Sequence, residues 1–394
     1  MHQGPVRLAA RPEPEAAVVT GRAGNHLSGL DRVLRTVAEP AARDADDLGR
    51  FPRPTINALG RAGLLGLTLP TRCGGGGHGL AEAVQVVAQV ARVCGSTAAV
   101  LQAHYAAAAV LAKYAPPEVL REIAAGRHLS TLALAEGGRP FAPAGQPREH
   151  GGVVDLHARK NWVTSAGEAD SYVWSSRAVG TSGASTLWLV PAAAPGMCVP
   201  ANSDGVGLRG SAAATITADP VQVPASAVLG ADGGGVEIVL TTLLPWLCAL
   251  NAALALGLME SVVQRSVECV NGPQPSWARW QDPPPRQPEV RADLARMQTK
   301  LDVVRLLLSD AVRAAWQQPT EAQRRLLQLR ATAGESAVQV AELGMKVCGQ
   351  FAFRKDFGIE RRFRDAHTAT YGQLPADTAL DYLGRTLCDL PLLA

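Results

Sequence analysis

The sequence predicts an α+β, multidomain chain in which helices come first, a compact antiparallel β-unit follows and long helices return. Three observations carry this reading. Alanine and leucine recur at helical spacing from Leu27 to about Gly126. Between Arg127 and about Gly230 the text becomes short β-branched runs punctuated by glycine and proline. From Val236 onward, long helical stretches come back. The implied division is a flexible arm over 1–27, an N-terminal helical domain over 28–127, a central β domain over 128–232 and a C-terminal helical domain over 233–394.

Each element has a local reason. In "FPRPTINALGRAGLLGL" (residues 51–67) a helix runs into glycines that mark its end. "LPTRCGGGGHG" (69–79) is a loop, because four consecutive glycines cannot hold a helix. That run lacks the Lys-Ser/Thr that follows a phosphate-cradling loop and the strand that precedes one, so it reads as a flexible turn near the substrate mouth. Helices continue through "LAEAVQVVAQVARVCG", "STAAVLQAHYAAAAVLAKY" and "PPEVLREIAAG", where Pro117 suits a helix start. The strands are read from "STLALAEG", "GVVDLHARKNWVTS", "SYVWSSRA", "STLWLVP" and "ATITADPVQVP". Helices over 236–270, 288–317 and 319–349 follow, with a proline-rich connector over 271–288 that is too long for a tight helical hairpin.

Composition excludes several functions. The 394 residues carry 47% hydrophobic and 19% charged side chains, as in ordinary globular proteins. A net charge of +3, no extended Lys/Arg cluster and only 5% aromatics argue against a nucleic-acid groove. Ile238–Met259 is uncharged and long enough to span a bilayer. Pro245 and Asn251 interrupt it and no basic cluster flanks it, so it reads as a helix buried on all sides. The seven cysteines are scattered without a C-x-x-C, which predicts reduced thiols, no metal site and a cytoplasmic location. The first residues lack the apolar core of a secretory signal.

Four segments in order resemble the acyl-CoA dehydrogenase superfamily of flavoproteins. "AGLLGLTLPTRCGGGGHG" is similar to its early "GLxGLxxPxxxGGxG" loop, and "ARKNWVTSAGEADSYV" to "GxKxWITNxxxAD". "GLRGSAAATITADPVQVPASAVLG" resembles "GMRGSxxxxxxFxxVxVPxxxxLG", and "VCGQFAFRKDFGIERRFRDA" resembles "GGxGYxxxxPxERxxRDA". The resemblance covers nearly the whole chain from Leu27. It implies a β-barrel-like middle domain, a C-terminal four-helix bundle, a homodimer or homotetramer, and FAD bound at a subunit interface. It further implies an acyl substrate carried on CoA or a carrier protein, with electron-transfer flavoprotein or oxygen as the electron acceptor.

The resemblance also assigns residues. Trp162, Val163, Thr164 and Ser165 match the strand end that lies against the flavin; Trp162 offers a ring face, and the Thr164 hydroxyl and nearby backbone N–H groups can donate where negative charge gathers on reduction. In "TLALAEGG", Ala135 stands where a flavin-contacting threonine is usual, leaving the backbone of Leu134, Ala135 and Glu136. "RPFAPAGQPREH" replaces the Gly-Ser-Asp region that normally meets the thioester-bearing cofactor. Gly349 keeps a loop that approaches the neighbouring subunit's dinucleotide, while Gln350 and Phe353 replace glycine and tyrosine. Arg279 and Arg286 are candidates for a displaced phosphate partner. His104 on an apolar helix reads as a satisfied core residue, and His150 and His157 as β-surface positions.

One feature of the family is missing. Its commoner base, a glutamate seven residues beyond the "RDA" alanine, falls on Gln373, and the alternative place on the first bundle helix holds no acid between Ile238 and Met259. A positioned base contributes about 10²–10⁴-fold, and glutamine accepts no proton at neutral pH. Three readings follow. A displaced group (Asp377, Glu136 or His367) serves an enzyme that oxidises an unusual acyl thioester. Alternatively, the chain resembles the branch that uses reduced flavin and oxygen and needs no carboxylate. In the third, the fold binds FAD without turnover. The Ala-, Pro-, Gly- and Arg-rich text and the altered motifs suggest specialised metabolism.

Overall fold

The computed structural model describes residues 23–136, 141, 145–180, 185–200, 204–272, 283–317, 319–372 and 374–392. Most of the 1–27 arm, residues 139, 140 and 142–144 of the 139–150 replacement segment, and both Arg279 and Gln373 therefore lie outside the described residues. The first helical region contains α1 (Ala23–Val33), α2 (Glu39–Asp47), α3 (Arg53–Arg61), α4 (Leu80–Val93), α5 (Gly95–Tyr114) and α6 (Pro117–Ala124). α5 is buried from Gly95 through Leu111. Its run of small alanines lets neighbours approach from every side, so the usual polar stripe is absent.

The middle of the chain forms two sheets. β1 (Ser130–Ala133), β4 (Ser171–Arg177) and β5 (Ser185–Pro191) make one in the order β1-β4-β5. β2 (Arg148–His150), β3 (Val153–Val163), β6 (Met197–Cys198) and β7 (Ala214–Pro224) make the other in the order β2-β3-β7-β6. Alternate side chains of both meet in one core, including Leu156, Val163, Trp174, Trp188, Ile216 and Val221. The all-antiparallel expectation needs one correction: β1 pairs with β4 in parallel. The chain leaves β1, builds β2 and β3 in the second sheet, and returns beside β1 in the same direction, which is the crossover a parallel pair requires.

The last helices are α7 (Gly235–Ile238), α8 (Leu244–Asn271), α9 (Pro288–Gln317), α10 (Pro319–Cys348), α11 (Ile359–Thr370) and α12 (Ala376–Leu387). A π-helical turn, Val239–Leu243, joins α7 to α8 directly before Pro245, which has no N–H to give the preceding turn. The continuous helix Gly235–Asn271 is apolar enough to cross a membrane, yet 78% of its most apolar window is buried inside the protein. Gly257 explains part of that burial. A Cβ there would lie 2.2 Å from Ala88 O, so only glycine permits α8 to cross α4 so closely. α8, α9 and α10 pack on one another, and α11 and α12 pack on α10.

Candidate active site

A cleft of about 460 Å³ opens where the two helical regions meet the β-unit. α5 supplies Ala99, Gln102 and Ala103; the end of β1 supplies Leu132, Leu134 and Ala135; α8 supplies Asn251 and Leu254. The Gly205–Arg209 loop forms one wall, and Thr368, Ala369, Tyr371, Gly372 and Pro375 form another. The lining is largely apolar, as in ligand pockets generally.

The geometry of Trp162 follows from an irregularity in the β3–β7 ladder between Lys160 and Val163. An interruption of this kind re-aims a side chain. Trp162 sits at φ +56° and is 65% exposed on the cleft, whereas Val163 next to it is fully buried in the β core. Left-handed backbone in non-glycine residues gathers here: Phe141, Trp162 and Leu208 line the cleft, and Ser165 and Ala212 lie beside it at φ +59° and +50°. The strained strand end and loop are tied together, because Ser165 N donates to Ser211 O and Ala166 N to Ala212 O. Such strain persists where surrounding structure over-determines it, typically around ligands.

Most assigned flavin contacts come together. Leu134, Ala135, Trp162 and Thr164 line the cleft, and Asn161 N donates to Ala135 O at 2.9 Å, which locks the two segments side by side. Ser165 is buried beside them, and its Oγ has no partner among the described residues. Val163 corrects the expectation: its side chain belongs to the β core and offers the cleft only backbone. Gly349 and Gln350 form a 3₁₀ turn, Gly349–Phe353, and do not line the cleft. Arg286 is exposed at the start of α9.

The displaced-base candidates fare differently. Glu136 is buried and held by the Lys160 ammonium, which also donates to Ser175 O at 2.6 Å and Ser175 Oγ at 2.9 Å; Gly145 N donates to the other Glu136 oxygen at 3.0 Å. Burial lowers Lys160 to about 8, and Glu136 opposes that shift. Engaged in this pair, Glu136 does not line the cleft. Asp377 is exposed in the first turn of α12; the His367 ring lies 4.5 Å from that of Phe363 at a 56° tilt, its Nε2 buried without a partner among the described residues, and neither Asp377 nor His367 lines the cleft. Gln373 lies outside the described residues, although its neighbours Gly372 and Pro375 line the cleft. No aspartate or glutamate lines the cleft among the described residues.

Two expectations about neighbouring groups also resolve. His104 Nε2 donates to Leu65 O at 3.0 Å and Nδ1 accepts from Ser130 N at 3.2 Å; burial takes it down to about 4, so it is a neutral core residue. The four-glycine loop is neither flexible in form nor near the cleft. Gly76 N, Gly77 N and His78 N donate to Gly66 O, Leu69 O and Leu67 O, and a Cβ on Gly75 would lie 2.4 Å from Leu69 O. Those glycines serve close packing, and no residue of 69–79 lines the cleft.

Sequence reasoning missed Gln102, the Gly205–Arg209 loop and Tyr371, and treated Asn251 only as an interruption. The available signal was an amide within an apolar stretch of each of two helices, VLQA in α5 and ALNA in α8. Gln102 is 7% exposed and makes no hydrogen bond among the described residues; Asn251 donates to Leu247 O and leaves its carbonyl towards Gly372. Asp365, the acid of "RDA", accepts from Leu208 N at 2.6 Å, and burial raises it to about 6. It fastens the loop to α11 from behind.

The site fits a flavin. It offers an exposed indole face, the Thr164 side chain and close backbone at a strained strand end, with the unpartnered Ser165 hydroxyl buried just behind. Comparison with known proteins agrees. The description "Acyl-CoA dehydrogenase, N-terminal domain" matches residues 28–126, and "Acyl-CoA dehydrogenase, C-terminal domain" matches residues 233–385. A probable acyl-CoA dehydrogenase of Bacillus subtilis is 26% identical over 350 residues, 85% of this chain and 89% of its own. An acryloyl-CoA reductase (NADH) of Anaerotignum propionicum is 26% identical, covering 83% of this chain and 84% of its own. Among solved structures, butyryl-CoA dehydrogenase of Megasphaera elsdenii superposes with a TM-score of 0.85 at 20% identity, over 92% of this chain and 97% of that one. KijD3 in complex with FMN and dTDP-3-amino-2,3,6-trideoxy-4-keto-3-methyl-D-glucose gives 0.81 at 22% identity, over 93% and 95%. The chain is therefore an oxidoreductase that belongs to the acyl-CoA dehydrogenase family, with FAD as its cofactor.

Proposed function

We propose that this flavoenzyme oxidises an unusual acyl thioester, carried on CoA or an acyl carrier protein, within the Trp162 cleft. The observation that supports this most is the turning of Trp162 out of the β3–β7 ladder beside Thr164, at the edge of an apolar slot. FAD held there supplies an acceptor for the two electrons that leave the substrate. The protein's share is placement: Trp162 covers a ring face, the Thr164 hydroxyl and the Leu134–Ala135 backbone hold the ring edge, and the apolar walls exclude water. Gln102 and Asn251 present neutral amides to the substrate from α5 and α8. With no carboxylate in the described lining, the α-proton passes to a weakly basic group, so substrates with an acidified α-position are favoured.

The same absence supports a second reading, use of reduced flavin and oxygen, which needs no carboxylate. The aminosugar nucleotide bound with FMN in KijD3 is a non-acyl ligand of this fold. Anaerobic mixing with acyl thioesters separates the two. Bleaching of the yellow protein without oxygen supports the first; persistent colour, with oxygen consumed and incorporated into product once a reductant is supplied, replaces it with the second. The seven unbridged thiols support a cytoplasmic location, and exposed Phe353, Tyr371 and Leu387 suit assembly into a dimer or tetramer.

A further inference from the structure

A second cleft, of about 600 Å³, lies between α1–α2, the end of α4, the middle of α8 and the start of α11. It shares no lining residue with the Trp162 cleft; Arg209 at the edge of one donates to Asp46 O at the edge of the other, at 2.7 Å. Most cations in its wall are matched. Arg35 pairs with Asp31, Arg43 and Lys355 with Asp47, and Arg92 with Glu260. Most of its acids are engaged too: Asp46 and Glu360 by Arg364, Asp356 by Arg354, and Glu268 by the Gln264 amide.

Three arginines are different, for among the described residues they reach only neutral acceptors. Arg265 Nη1 donates to Phe357 O at 3.0 Å, and Arg361 donates to Ala42 O at 2.8 Å and Val93 O at 3.3 Å. Arg362 donates to Ser261 Oγ, to Gly358 O at 2.8 Å and to Arg92 O at 3.3 Å, and is only 3% exposed. Burial, then Arg361 and Arg265, push Arg362 down to about 9; burial and then Arg361 lower Arg265, against Glu268 and Glu39. Asp365 eases Arg362 only in part. The like charges sit together without a counter-charge in contact, and a buried charge is normally paired. Arg265 and Arg361 also keep guanidinium donors unused.

We propose that Arg265, Arg361 and Arg362 form a binding site for a phosphate-bearing small molecule. Guanidinium forks match phosphate oxygens, and Gln89, Ser261 and Gln264 add neutral polar groups to the wall. The cleft exceeds the size of a bare phosphate, so a phosphate ester also fits. The site does not depend on the reading of the Trp162 cleft.

The test uses the FAD-loaded protein in phosphate-free buffer. Inorganic phosphate and ADP are titrated by calorimetry and by melting temperature, each against sodium chloride at matched ionic strength, with flavin fluorescence checking that FAD stays bound. The expected result is one saturable site per chain and a rise in Tm of a few degrees. Tighter binding of ADP assigns a nucleotide; equal or weaker binding assigns free phosphate. Arg265→Gln with Arg361→Gln removes both the heat and the rise. A phosphate effect no larger than that of chloride overturns the proposal, as does a rise that survives in the double variant. If that variant does not fold, calorimetry on the parent protein decides alone.

Discussion

Inside the β-unit, Lys160 meets Glu136 and Ser175, and Trp188 Nε1 donates to Ser176 Oγ at 2.8 Å. Beside the cleft, the buried Ser165 hydroxyl finds no partner among the described residues, and the Gln102 and Thr164 side chains line the cleft itself. Trp174 Nε1 is an exception in the interior, with the Lys160 ammonium over its ring. Within the β-unit most polar groups are satisfied inside the chain, because an unmade buried hydrogen bond costs about 1–3 kcal/mol, whereas in the first helical region the buried Thr55 and Thr97 hydroxyls also lack partners among the described residues. Where a ligand is expected, the same residue types are left waiting. The contrast separates Glu136, which sequence reasoning placed among possible bases, from residues that face chemistry.

The largest effect should come from breaking the interior pair. Lys160→Met strands a buried carboxylate and should cost about 3–5 kcal/mol in denaturant unfolding. A loss under about 1 kcal/mol would show Glu136 free to act elsewhere. Replacing both partners with apolar residues of similar volume should recover much of the loss.

Asp365 gives the next effect, through pH. Its carboxyl is raised by burial from 3.8 to about 6, so between those values the native protein holds a proton that the unfolded chain has released. Its contribution therefore falls as pH rises through that window and is flat above it. Unfolding free energies of the parent and Asp365→Asn should converge or cross from pH 4 to 7, the parent losing about 3 kcal/mol relative to the variant. A difference independent of pH would mean that Asp365 is not held protonated.

Effects at the cleft should be smaller in stability and larger in binding. Thr164→Val should weaken FAD about tenfold, roughly 1.4 kcal/mol, in a fluorescence titration. Gln102→Leu should change the ligand-free protein by less than about 1 kcal/mol, since no internal hydrogen bond is lost, while raising KM more than it lowers kcat. Severe destabilisation by Gln102→Leu would remove the contrast.

Much of this was legible in the sequence for physical reasons. Periodicity revealed the α-β-α order, and the uncharged Ile238–Met259 run announced a helix buried all round. "NWVTS" pointed to the cleft, but not to the break in register that sends Trp162 outward and Val163 inward. That choice is made by pairing with β7, a partner distant in sequence. The parallel β1–β4 pair and the Lys160–Glu136 contact are likewise long-range. The vacant base was readable from Gln373 and the acid-free Ile238–Met259 run, whereas the absence of any carboxylate in the described lining needed three dimensions.

The most direct measurement is a titration of flavin-free protein with FAD, following flavin absorbance and the quenching of tryptophan emission. The account predicts one FAD per chain, with the quenching largely lost in Trp162→Leu. A protein that remains colourless at saturating FAD, or whose quenching is unchanged when that indole is removed, would contradict it.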